Sequence, residues 1–270
     1  MPELPEVETV RQTLRQFVLN KHIQSVDVYY DKIIDGDTQE FIHAITHQTI
    51  RDIDRVGKYL IFLLDDQAFV SHLRMEGKYH ILDCHTPIDK HTHVVFHLDD
   101  GTDLRYMDTR KFGRMRKVDY CSYKEQLPLN KLGKEPFDID TQELYELLHK
   151  TSMPIKTALL DQSIMCGIGN IYANEICFLM HIHPKTPASR LSKKRVEELK
   201  EVSIDVLNRA IAQGGTTIHS FDSNGIHGLF QVQLNVHGKK VCPLCHGETK
   251  KIMLNQRGTY YCPKCQKRRY

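Results

Sequence analysis

Apolar residues at the start of the chain recur at the spacing of an α-helix. The positions that share this spacing are Leu4, Val7, Val10, Leu14, Phe17 and Val18. Pro5 stands at the head of the pattern, and proline is favoured in a first helical turn because it has no amide hydrogen to leave unpaired there. The pattern predicts a helix from about Pro5 to Leu19.

Between Ile23 and about Val118 the pattern changes to short runs rich in β-branched and aromatic residues. Two of these runs, HVVFHL and DLRYM, lie on either side of Asp99-Asp100-Gly101-Thr102, a sequence typical of a hairpin break. This half of the chain therefore predicts an antiparallel sandwich or barrel, and we favour a sandwich.

A break in the pattern separates the two halves of the chain. Prolines at positions 128 and 136 flank a Gly-Lys pair, so residues 131–140 are the best candidate linker. The predicted fold class is α+β. Its three folded parts are an N-terminal helix with a β-sandwich at 1–130, a helical domain at 141–230 and a small module at 231–270.

Helical patterns dominate the second half. Asp140 with Glu143 has the form of a capping arrangement and predicts a helix through His149. Apolar residues then recur at helical spacing from Arg195 to Gln213, before Gly214-Gly215 ends the pattern.

The composition is that of a folded globular protein. The chain has 270 residues, of which 40% are hydrophobic and 26% are charged, and these proportions argue against disordered, collagen-like and membrane classes. The N-terminal MPELPEVETV has three acids and no basic residue, and the longest apolar run, Tyr59 to Leu64, is too short to cross a bilayer. We expect a cytoplasmic protein with no membrane partner.

Positive charge is concentrated at the C-terminal end. Residues 231–270 hold nine Lys or Arg and one acid, so they carry +8, and the remaining 230 residues carry −5 of the net +3. A basic module joined to a mildly acidic body favours a polyanionic partner, although a basic tail without a specific partner has the same composition.

Two Cys-x-x-Cys pairs lie in this basic module. Sixteen residues separate the pair Cys242 and Cys245 from the pair Cys262 and Cys265, and this spacing suits two tight turns that place four thiolates around one zinc. Two disulfides are the alternative, which a cytosolic location disfavours. A closed four-cysteine site makes the zinc structural, and its hairpin turn is expected to carry Lys250, Lys251, Arg257 and Gly258. The other cysteines, at 84, 121, 166 and 177, are expected to be buried.

A glycine-rich turn interrupts the apolar segment from Ile155 to Met180. The sequence Cys166-Gly167-Ile168-Gly169-Asn170 predicts a tight turn between two helices. Amides at the start of the second helix would then be available to a phosphate. A plain turn between packed helices gives the same sequence.

Six motifs occur in order: MPELPEVETV, GKYLIF, HLRMEGKY, RKFG, GIGNIYANE and the four-cysteine module. In this order they resemble the formamidopyrimidine-DNA glycosylase family over nearly the whole chain. The resemblance implies a helix-two-turn-helix in the helical domain and a zinc ribbon at the end. It also implies a bacterial base-excision repair enzyme, nucleoid-associated and monomeric. Such an enzyme acts on damaged double-stranded DNA with one structural Zn²⁺ per chain and no organic cofactor.

The implied activity has two stages. A DNA N-glycosylase reaction removes oxidised purines such as 8-oxoguanine and formamidopyrimidines, and a lyase reaction then cleaves the abasic strand by β- and δ-elimination. Pro2 matches the nucleophile, whose nitrogen attacks C1′ and forms an iminium once Met1 has been removed. Glu3 matches the general acid and base. Lys58 matches a lysine that holds the phosphate beside the lesion. Arg257 matches a further phosphate contact, and we count it among the catalytic residues.

Glu6 matches a second, supporting carboxylate of the family. A first-turn charge that complements the helix dipole explains the same residue equally well.

Three residues match those that enter the duplex where the damaged base leaves. Met75 matches the residue that fills the void, Arg110 the one that faces the orphaned cytosine, and Phe112 the one that wedges a base step. Glu76 is a further candidate for contact with the base.

The remaining DNA-binding candidates are His72, Lys156 and Asn170, which match phosphate contacts that position the duplex without reading its sequence. His91 is included as a DNA contact. His91 and His93 also suggest a metal pair, but we favour ordinary hydrogen bonding because the chain has 16 histidines.

Residues Thr216 to Phe230, rich in Gly, Ser and Asn, match a loop that closes over the everted base. Two features depart from the family: the segment between Gly238 and Cys242 is short, and His237 stands where the family tends to have tyrosine.

Three alternatives stay open. The related endonuclease VIII branch prefers oxidised pyrimidines, but its N-terminus typically has glycine where this chain has Leu4. A noncatalytic zinc-ribbon DNA-binding protein would not need the reaction residues. A metallohydrolase built on His91 and His93 would lose activity on chelation while its fold survived.

Overall fold

The computed structural model describes residues 1–214 and 234–267. The chain divides into two compact units. The first unit holds Met1–Pro2 and Glu6–Asn130. The second holds Glu3–Pro5 and the described residues from Lys131 onward. The predicted base-closing loop, Thr216 to Phe230, lies outside the described residues.

Besides short 3₁₀ helices, residues 1–130 form two α-helices and eight strands. The helices are α1, Leu4–Val18, and α2, Thr38–Ile45. The strands are β1 (Ile23–Val28), β2 (Asp52–Val56), β3 (Tyr59–Leu63), β4 (Gln67–His72), β5 (Lys78–Asp83), β6 (Thr92–Leu98), β7 (Thr102–Met107) and β8 (Arg114–Asp119).

The strands form two antiparallel sheets, one in the order β1-β6-β7-β5 and the other in the order β2-β3-β4-β8. Both sheets contribute to one apolar core. Within it, Phe69 of β4 stacks on Phe96 of β6 with ring centroids 5.4 Å apart. Two antiparallel sheets around a shared core make a β-sandwich, so the predicted fold of this part is confirmed.

Helix α1 and the β6–β7 hairpin confirm their sequence patterns. Val7, Val10 and Leu14 of α1 are buried in the sandwich core, because residues three or four apart share one face of a helix. The hairpin turns at Gly101, whose φ of +80° suits glycine.

Helix α2 was not predicted. The Asp37 side chain accepts a hydrogen bond of 2.7 Å from the Glu40 amide and so caps the first turn. The sequence does carry the Asp-x-x-Glu signal for this helix, but it lies within a region that otherwise favours strands.

In the second unit, the described residues form four α-helices, one hairpin and a short 3₁₀ helix at Ala188–Arg190. The helices are α3 (Thr141–His149), α4 (Ile155–Leu160), α5 (Asn170–Leu179) and α6 (Lys193–Ala212). The strands are β9 (Lys250–Leu254) and β10 (Arg257–Tyr261).

The helix boundaries follow from caps that the sequence shows. Asp140 accepts hydrogen bonds from the Gln142 and Glu143 amides, which confirms α3. Helix α6 is also confirmed, and it begins two residues before the predicted start because Ser192 caps it. Of the helices in the described residues, none is both long and apolar enough to cross a membrane.

The hairpin corrects one expectation. Asn255 and Gln256 have φ of +46° and +60°, the conformation of a two-residue type I′ turn. Lys250 and Lys251 therefore belong to β9, and Arg257 and Gly258 to β10. None of these four lies in the turn, where the sequence had placed them.

Candidate active site

The third residue of the chain, Glu3, has a buried carboxylate. Pro2 is half-buried and Glu3 is 2% exposed. Glu3 Oε2 accepts hydrogen bonds from the amides of Gly169 at 2.7 Å and Tyr172 at 3.4 Å, and Oε1 accepts one from Ile171 at 2.8 Å. Amides in the first turn of a helix have no acceptor within it, so Glu3 satisfies them and complements the positive end of α5.

Both glycines of the turn before α5 make room for this segment. A Cβ at Gly169 would lie 2.4 Å from Glu3 Cδ, and a Cβ at Gly167 would lie 2.4 Å from Leu4 Cδ1. Gly167 also has φ of +98°, and its carbonyl accepts a 3.0 Å hydrogen bond from the Leu4 amide. The glycines are therefore required by residues 3 and 4 as well as by the turn.

The sequence predicted that amides at the start of α5 are available to a phosphate. That prediction is wrong for Gly169, Ile171 and Tyr172, because the Glu3 carboxylate accepts their hydrogen bonds. The two partners are more than 160 residues apart, so no local pattern could reveal the pairing.

Glu6 lies in the first turn of α1 and is 3% exposed. The position agrees with both roles considered for it, a supporting carboxylate and a first-turn charge.

His72 ends β4 and is neutral at neutral pH. Burial and the positive charges of Arg74 and Lys58 lower the pKa of His72 to about 3. Its Nδ1 accepts a 2.9 Å hydrogen bond from the Arg74 amide, so the hydrogen of the neutral ring is on Nε2. The ring packs edge-on against Tyr59 at 4.6 Å. His72 thus offers one N–H donor without carrying a charge.

Lys58 lies in the turn between β2 and β3, directly after Gly57. Gly57 has φ of +57°, which a side chain would disfavour. Lys58 is only 6% exposed. A lysine this buried is held in place by its surroundings, unlike the solvated turn lysine that the local sequence suggests.

The candidate duplex-entering residues lie on the surface of the sandwich. Met75 is 37% exposed and Phe112 is 48% exposed, and Glu76 and Arg110 are exposed as well. The guanidinium carbon of Arg110 lies 4.7 Å from the centroid of the Phe112 ring. Apolar side chains such as Met75 and Phe112 are usually found in the core. Their exposure shows that these two are not core residues.

His93 has an ordinary structural role. It is 2% exposed, its Nε2 lies 2.7 Å from the Asp108 carbonyl oxygen, and its ring packs on Tyr30 at 5.5 Å. The preferred hydrogen-bonding interpretation is confirmed for His93. Among the described residues, the clusters of three or more metal-ligating side chains do not include His91 or His93. The DNA contact of His91 stays a prediction.

Lys156 and Asn170 join the α4–α5 pair to the hairpin. Lys156 Nζ donates to Asn170 Oδ1 at 2.7 Å, to Thr259 Oγ1 at 2.7 Å and to the Gly258 carbonyl at 3.2 Å. Asn170 Nδ2 donates to that same carbonyl at 3.1 Å. Burial lowers the pKa of Lys156 to about 8, against smaller opposing effects of Cys177 and Glu3. Both side chains thus bond within the protein, and their phosphate contacts stay predictions.

Arg257 is exposed at the first position of β10, next to the hairpin turn. Its neighbours in the strand, Gly258 and Thr259, are the residues that Lys156 holds. The network therefore fixes the strand that presents Arg257.

Glu175 is a structural residue that sequence reasoning missed. It is 1% exposed, and its carboxylate accepts hydrogen bonds from the amides of Asn235, Val236 and His237 at 2.7 to 2.9 Å. The only signal was an acid at the end of GIGNIYANE, within an apolar helix. Glu175 thus anchors the segment that leads into the cysteine module.

His237, which departs from the family pattern, is held by the same region. Its Nδ1 lies 2.7 Å from Asn174 Nδ2, and its ring packs on Tyr260 at 4.9 Å. Burial lowers the pKa of His237 despite the nearby Glu175 carboxylate.

The four cysteines of the C-terminal module converge on one point. Their sulfurs all lie within 4.8 Å of one another, with Cys242 and Cys265 at 3.8 Å and Cys245 and Cys262 at 3.5 Å. Tetrahedral zinc with bonds of about 2.3 Å places thiolate sulfurs about 3.8 Å apart, so the set fits one zinc. The disulfide alternative is wrong, because all four are free cysteines.

The other cysteines divide into two groups. Cys166 and Cys177 are buried, as predicted, and burial raises the pKa of Cys177 to about 12. Cys84 and Cys121 are exposed, which corrects the expectation that they are buried. Both lie in turns that follow strand ends, where the chain meets solvent.

Family models match the chain in three places. The formamidopyrimidine-DNA glycosylase N-terminal domain matches residues 1–115, and the H2TH domain of the same family matches residues 132–222. A zinc finger found in FPG and IleRS matches residues 239–268, which include the four clustered cysteines. The structural zinc site predicted from the spacing is therefore confirmed.

Relatives match over nearly their full length. A protein of Shouchella clausii named formamidopyrimidine-DNA glycosylase is 48% identical over 275 residues, covering 99% of this chain and all of its own. One of Oceanobacillus iheyensis with the same name is 45% identical over 98% of both chains. Lactococcus lactis Fpg, solved with DNA containing an abasic site, is 36% identical with a TM-score of 0.93, covering 98% of this chain and 100% of its own. The chain therefore belongs to the formamidopyrimidine-DNA glycosylase family.

Proposed function

We propose that this protein is a bifunctional base-excision repair enzyme. It removes oxidised purines from duplex DNA as a glycosylase and then cleaves the abasic strand as a lyase. The observation that carries the proposal is the N-terminal segment, where a proline able to act as an amine nucleophile directly precedes a buried, positioned carboxylate.

Pro2 is the nucleophile. After removal of Met1, its secondary amine has an ordinary pKa near 8, so part of the population is neutral at cellular pH. The nitrogen forms a bond with C1′ as the bond from C1′ to the base breaks, and it gives up its proton. The C1′–O4′ bond then breaks as O4′ takes up a proton, and the iminium so formed activates the sugar for β- and δ-elimination. With Met1 retained, the same nitrogen is an amide and cannot react in this way.

Glu3 moves the protons. Its carboxylate is next to the nucleophile in the chain, and it transfers protons to the sugar ring oxygen and during elimination. The amides of α5 fix its orientation, so a catalytic group on an N-terminal segment gains the rigidity of a helix end.

Lys58, His72 and Arg257 bind the DNA backbone around the lesion. Lys58 and Arg257 supply positive charge, and His72 supplies a neutral N–H donor from Nε2. Lys156 and Asn170 act mainly by fixing the strand that carries Arg257, with His91 as a further backbone contact. These contacts position the duplex and do not read its sequence.

Met75, Arg110 and Phe112 occupy the space left by the everted nucleotide. Their exposure on two neighbouring loops supports this role, and Arg110 offers paired donors to the orphaned cytosine. Glu76 contacts the extruded base. This set, together with Leu4, favours oxidised purines over oxidised pyrimidines.

The domain assignment and assembly complete the proposal. Residues 1–130 form the catalytic sandwich domain, 131–140 the linker, 141–230 the helix-two-turn-helix domain with the base-closing loop, and 231–270 the zinc ribbon. The enzyme works as a monomer on DNA in the bacterial cytoplasm, bound to the nucleoid.

Borohydride trapping tests the proposal. Protein with an N-terminus at Pro2, verified by intact mass, is mixed with a duplex carrying one 8-oxoguanine opposite cytosine in the presence of borohydride. Reduction of the iminium should give a covalent protein–DNA adduct whose linked peptide begins at Pro2. An adduct at Lys58 or Lys156 would overturn the assignment of the nucleophile, and efficient strand cleavage without any adduct would overturn the mechanism.

A Glu3→Gln variant separates reaction from docking. It should bind lesion DNA with little change and lose excision by about 10² to 10⁴-fold, the range typical of general acid–base catalysis. Equal losses of binding and excision would place Glu3 among purely structural residues.

A further inference from the structure

Two loops of the sandwich cross between the same two sheets. Loop 73–77 joins β4 to β5, and loop 108–113 joins β7 to β8. Strand β4 pairs with β8, and β5 pairs with β7, so each loop leaves one sheet and enters the other. The paired ends are His72 with Arg114 and Lys78 with Met107. The loops therefore lie side by side, one carrying Met75 and the other Arg110 and Phe112.

Tyr106 of β7 lies against both loops and is completely buried. A Cβ at Gly77, which ends the first loop, would lie 2.2 Å from the Tyr106 hydroxyl oxygen. A Cβ at Gly113, which ends the second loop, would lie 1.6 Å from the same atom. The ends of both loops thus lie against the same hydroxyl group. The Tyr106 side chain therefore sets the distance between the two loops.

Asp108 organises the second loop from within. It is 1% exposed. Its Oδ1 accepts a 2.9 Å hydrogen bond from the Arg110 amide, and its Oδ2 accepts bonds of 2.8 Å from the amides of Phe112 and Gly113. One buried carboxylate therefore fixes the main chain at both residues that carry the exposed side chains, with bonds strengthened by its charge.

The loop has a conformation that needs such support. Lys111, between Arg110 and Phe112, has φ of +58°, and a left-handed conformation costs a residue with a side chain roughly 1 kcal/mol or more. The Lys111 ammonium lies 4.7 Å from the centroid of the Tyr30 ring, which gives the turn a second anchor. The turn directs residues 110 and 112 outward with Lys111 between them.

We propose that Asp108 and Tyr106 are positioning residues for entry into the duplex. Asp108 sets the geometry of Arg110 and Phe112, and Tyr106 sets the distance between that loop and the loop of Met75. Both residues are buried, so they act through the loops. This inference rests on the proposed function, in which Arg110 faces the orphaned cytosine. Its placement then determines how strongly the enzyme prefers a lesion opposite cytosine to one opposite adenine, because bidentate contacts depend steeply on geometry.

Asp108→Asn is the first test. Asparagine keeps one acceptor oxygen and replaces the other by an NH₂ group, so it cannot serve Arg110 on one side and Phe112 with Gly113 on the other. We expect the ratio of 8-oxoguanine excision opposite cytosine to excision opposite adenine to fall about tenfold or more, the scale set by lost hydrogen bonds to a buried charge.

Asp119→Asn is the control for a turn-ordering carboxylate elsewhere in the sandwich, at an exposed position where Asp108 is buried. Asp119 ends β8 as Asp108 follows β7, and its Oδ1 likewise accepts three hydrogen bonds, from the Cys121 and Ser122 amides and the Ser122 hydroxyl. Asp119 orders a turn that carries none of the duplex-entering residues. The excision ratio of the Asp119→Asn protein should therefore stay at the wild-type value. A folded Asp108→Asn protein with the wild-type ratio would overturn the proposal.

A double-mutant cycle distinguishes positioning from general destabilisation. If Asp108 acts through Arg110, then Asp108→Asn should change the ratio little once Arg110→Ala is present, so the two effects are not additive. If Asp108→Asn lowers the ratio by the same factor with and without Arg110→Ala, then Asp108 does not act through Arg110 and the proposal is wrong.

Tyr106→Phe keeps the test decisive if Asp108→Asn fails to fold, as judged from melting temperature and zinc content. Removing the hydroxyl takes away the atom that both loops contact while keeping the buried ring. The ratio of excision opposite cytosine to excision opposite adenine should again fall, and it should change little when Arg110→Ala is already present. An unchanged ratio in the folded Tyr106→Phe protein would overturn the proposal. Borohydride trapping of the wild-type protein is done in parallel. Absence of an adduct there would contradict the proposed function and would leave the roles of the positioning residues a separate question.

Discussion

The Glu3 carboxylate accepts a 2.7 Å hydrogen bond from the amide of Gly169, at the start of helix α5. A Cβ on residue 169 would lie 2.4 Å from Glu3 Cδ, so the carboxylate can reach the helix only because that residue is glycine. The helix end therefore holds the residue to which we assign proton transfer.

Gly169→Ala should displace the Glu3 carboxylate from the amides of α5. We expect excision to fall by about 10² to 10⁴-fold, as when a general acid–base group is misplaced, while affinity for lesion DNA changes little. Single-turnover excision and DNA titration measure the two effects separately. Gly101→Ala is the control for loss of a glycine away from Glu3: its φ of +80° strains alanine, but a Cβ there meets nothing within 4 Å. Equal excision by the two variants would contradict the prediction.

Cys262→Ser should remove zinc from the C-terminal module and unfold its hairpin. Four thiolates hold the metal, and binding free energy of such sites is folding free energy. Zinc content and DNA affinity should fall together, because Arg257 loses its supporting strand. Cys121→Ser, at an exposed cysteine that belongs to no candidate metal cluster among the described residues, should change neither. Normal DNA affinity in a zinc-free Cys262→Ser protein would refute the structural role.

Arg257→Gln should weaken DNA binding by a similar factor for different sequences. One phosphate contact contributes about 0.9 to the slope of log affinity against log salt concentration, so the slope should decrease by about one. Binding isotherms at several salt concentrations provide the measurement. Arg51→Gln is the control at a comparably exposed arginine, which pairs with Asp65 at 2.6 Å. An unchanged slope for Arg257→Gln would exclude this phosphate contact.

His72 should make the protein less stable in acid. The folded-state pKa of His72 is lowered to about 3, whereas an unfolded histidine has its ordinary value near 6.5. As the pH falls from about 6.5 towards 3, only the unfolded state takes up this proton, so the free energy of unfolding decreases. His72→Gln should remove that part of the pH dependence in urea titrations. The exposed His43, replaced in the same way, controls for loss of a histidine, and identical pH profiles of His72→Gln and wild type would contradict the assignment.

Local features of the chain were accessible from the sequence. Helices α1, α3 and α6 follow from spacing and caps, and the zinc site follows from two Cys-x-x-Cys pairs whose spacing leaves few other geometries. Helix α2 has a capping signal of its own at Asp37, but its surroundings favoured strands. The order of the six motifs identified the family, because each motif is a short local sequence.

Tertiary structure decided which partner each polar group takes. Glu3 bonds to amides 166 to 169 positions away, and Lys156 to Thr259 across 103 positions. Such pairings depend on which elements the fold brings together, and periodicity carries no information about that. The sequence by itself determined helices α1, α3 and α6, the metal ligands and the candidate chemistry. Only the folded chain decided that Glu3 occupies amides expected to bind phosphate, and that Tyr106 lies against the end of the Met75 loop at Gly77, because these relations arise from packing between segments distant in sequence.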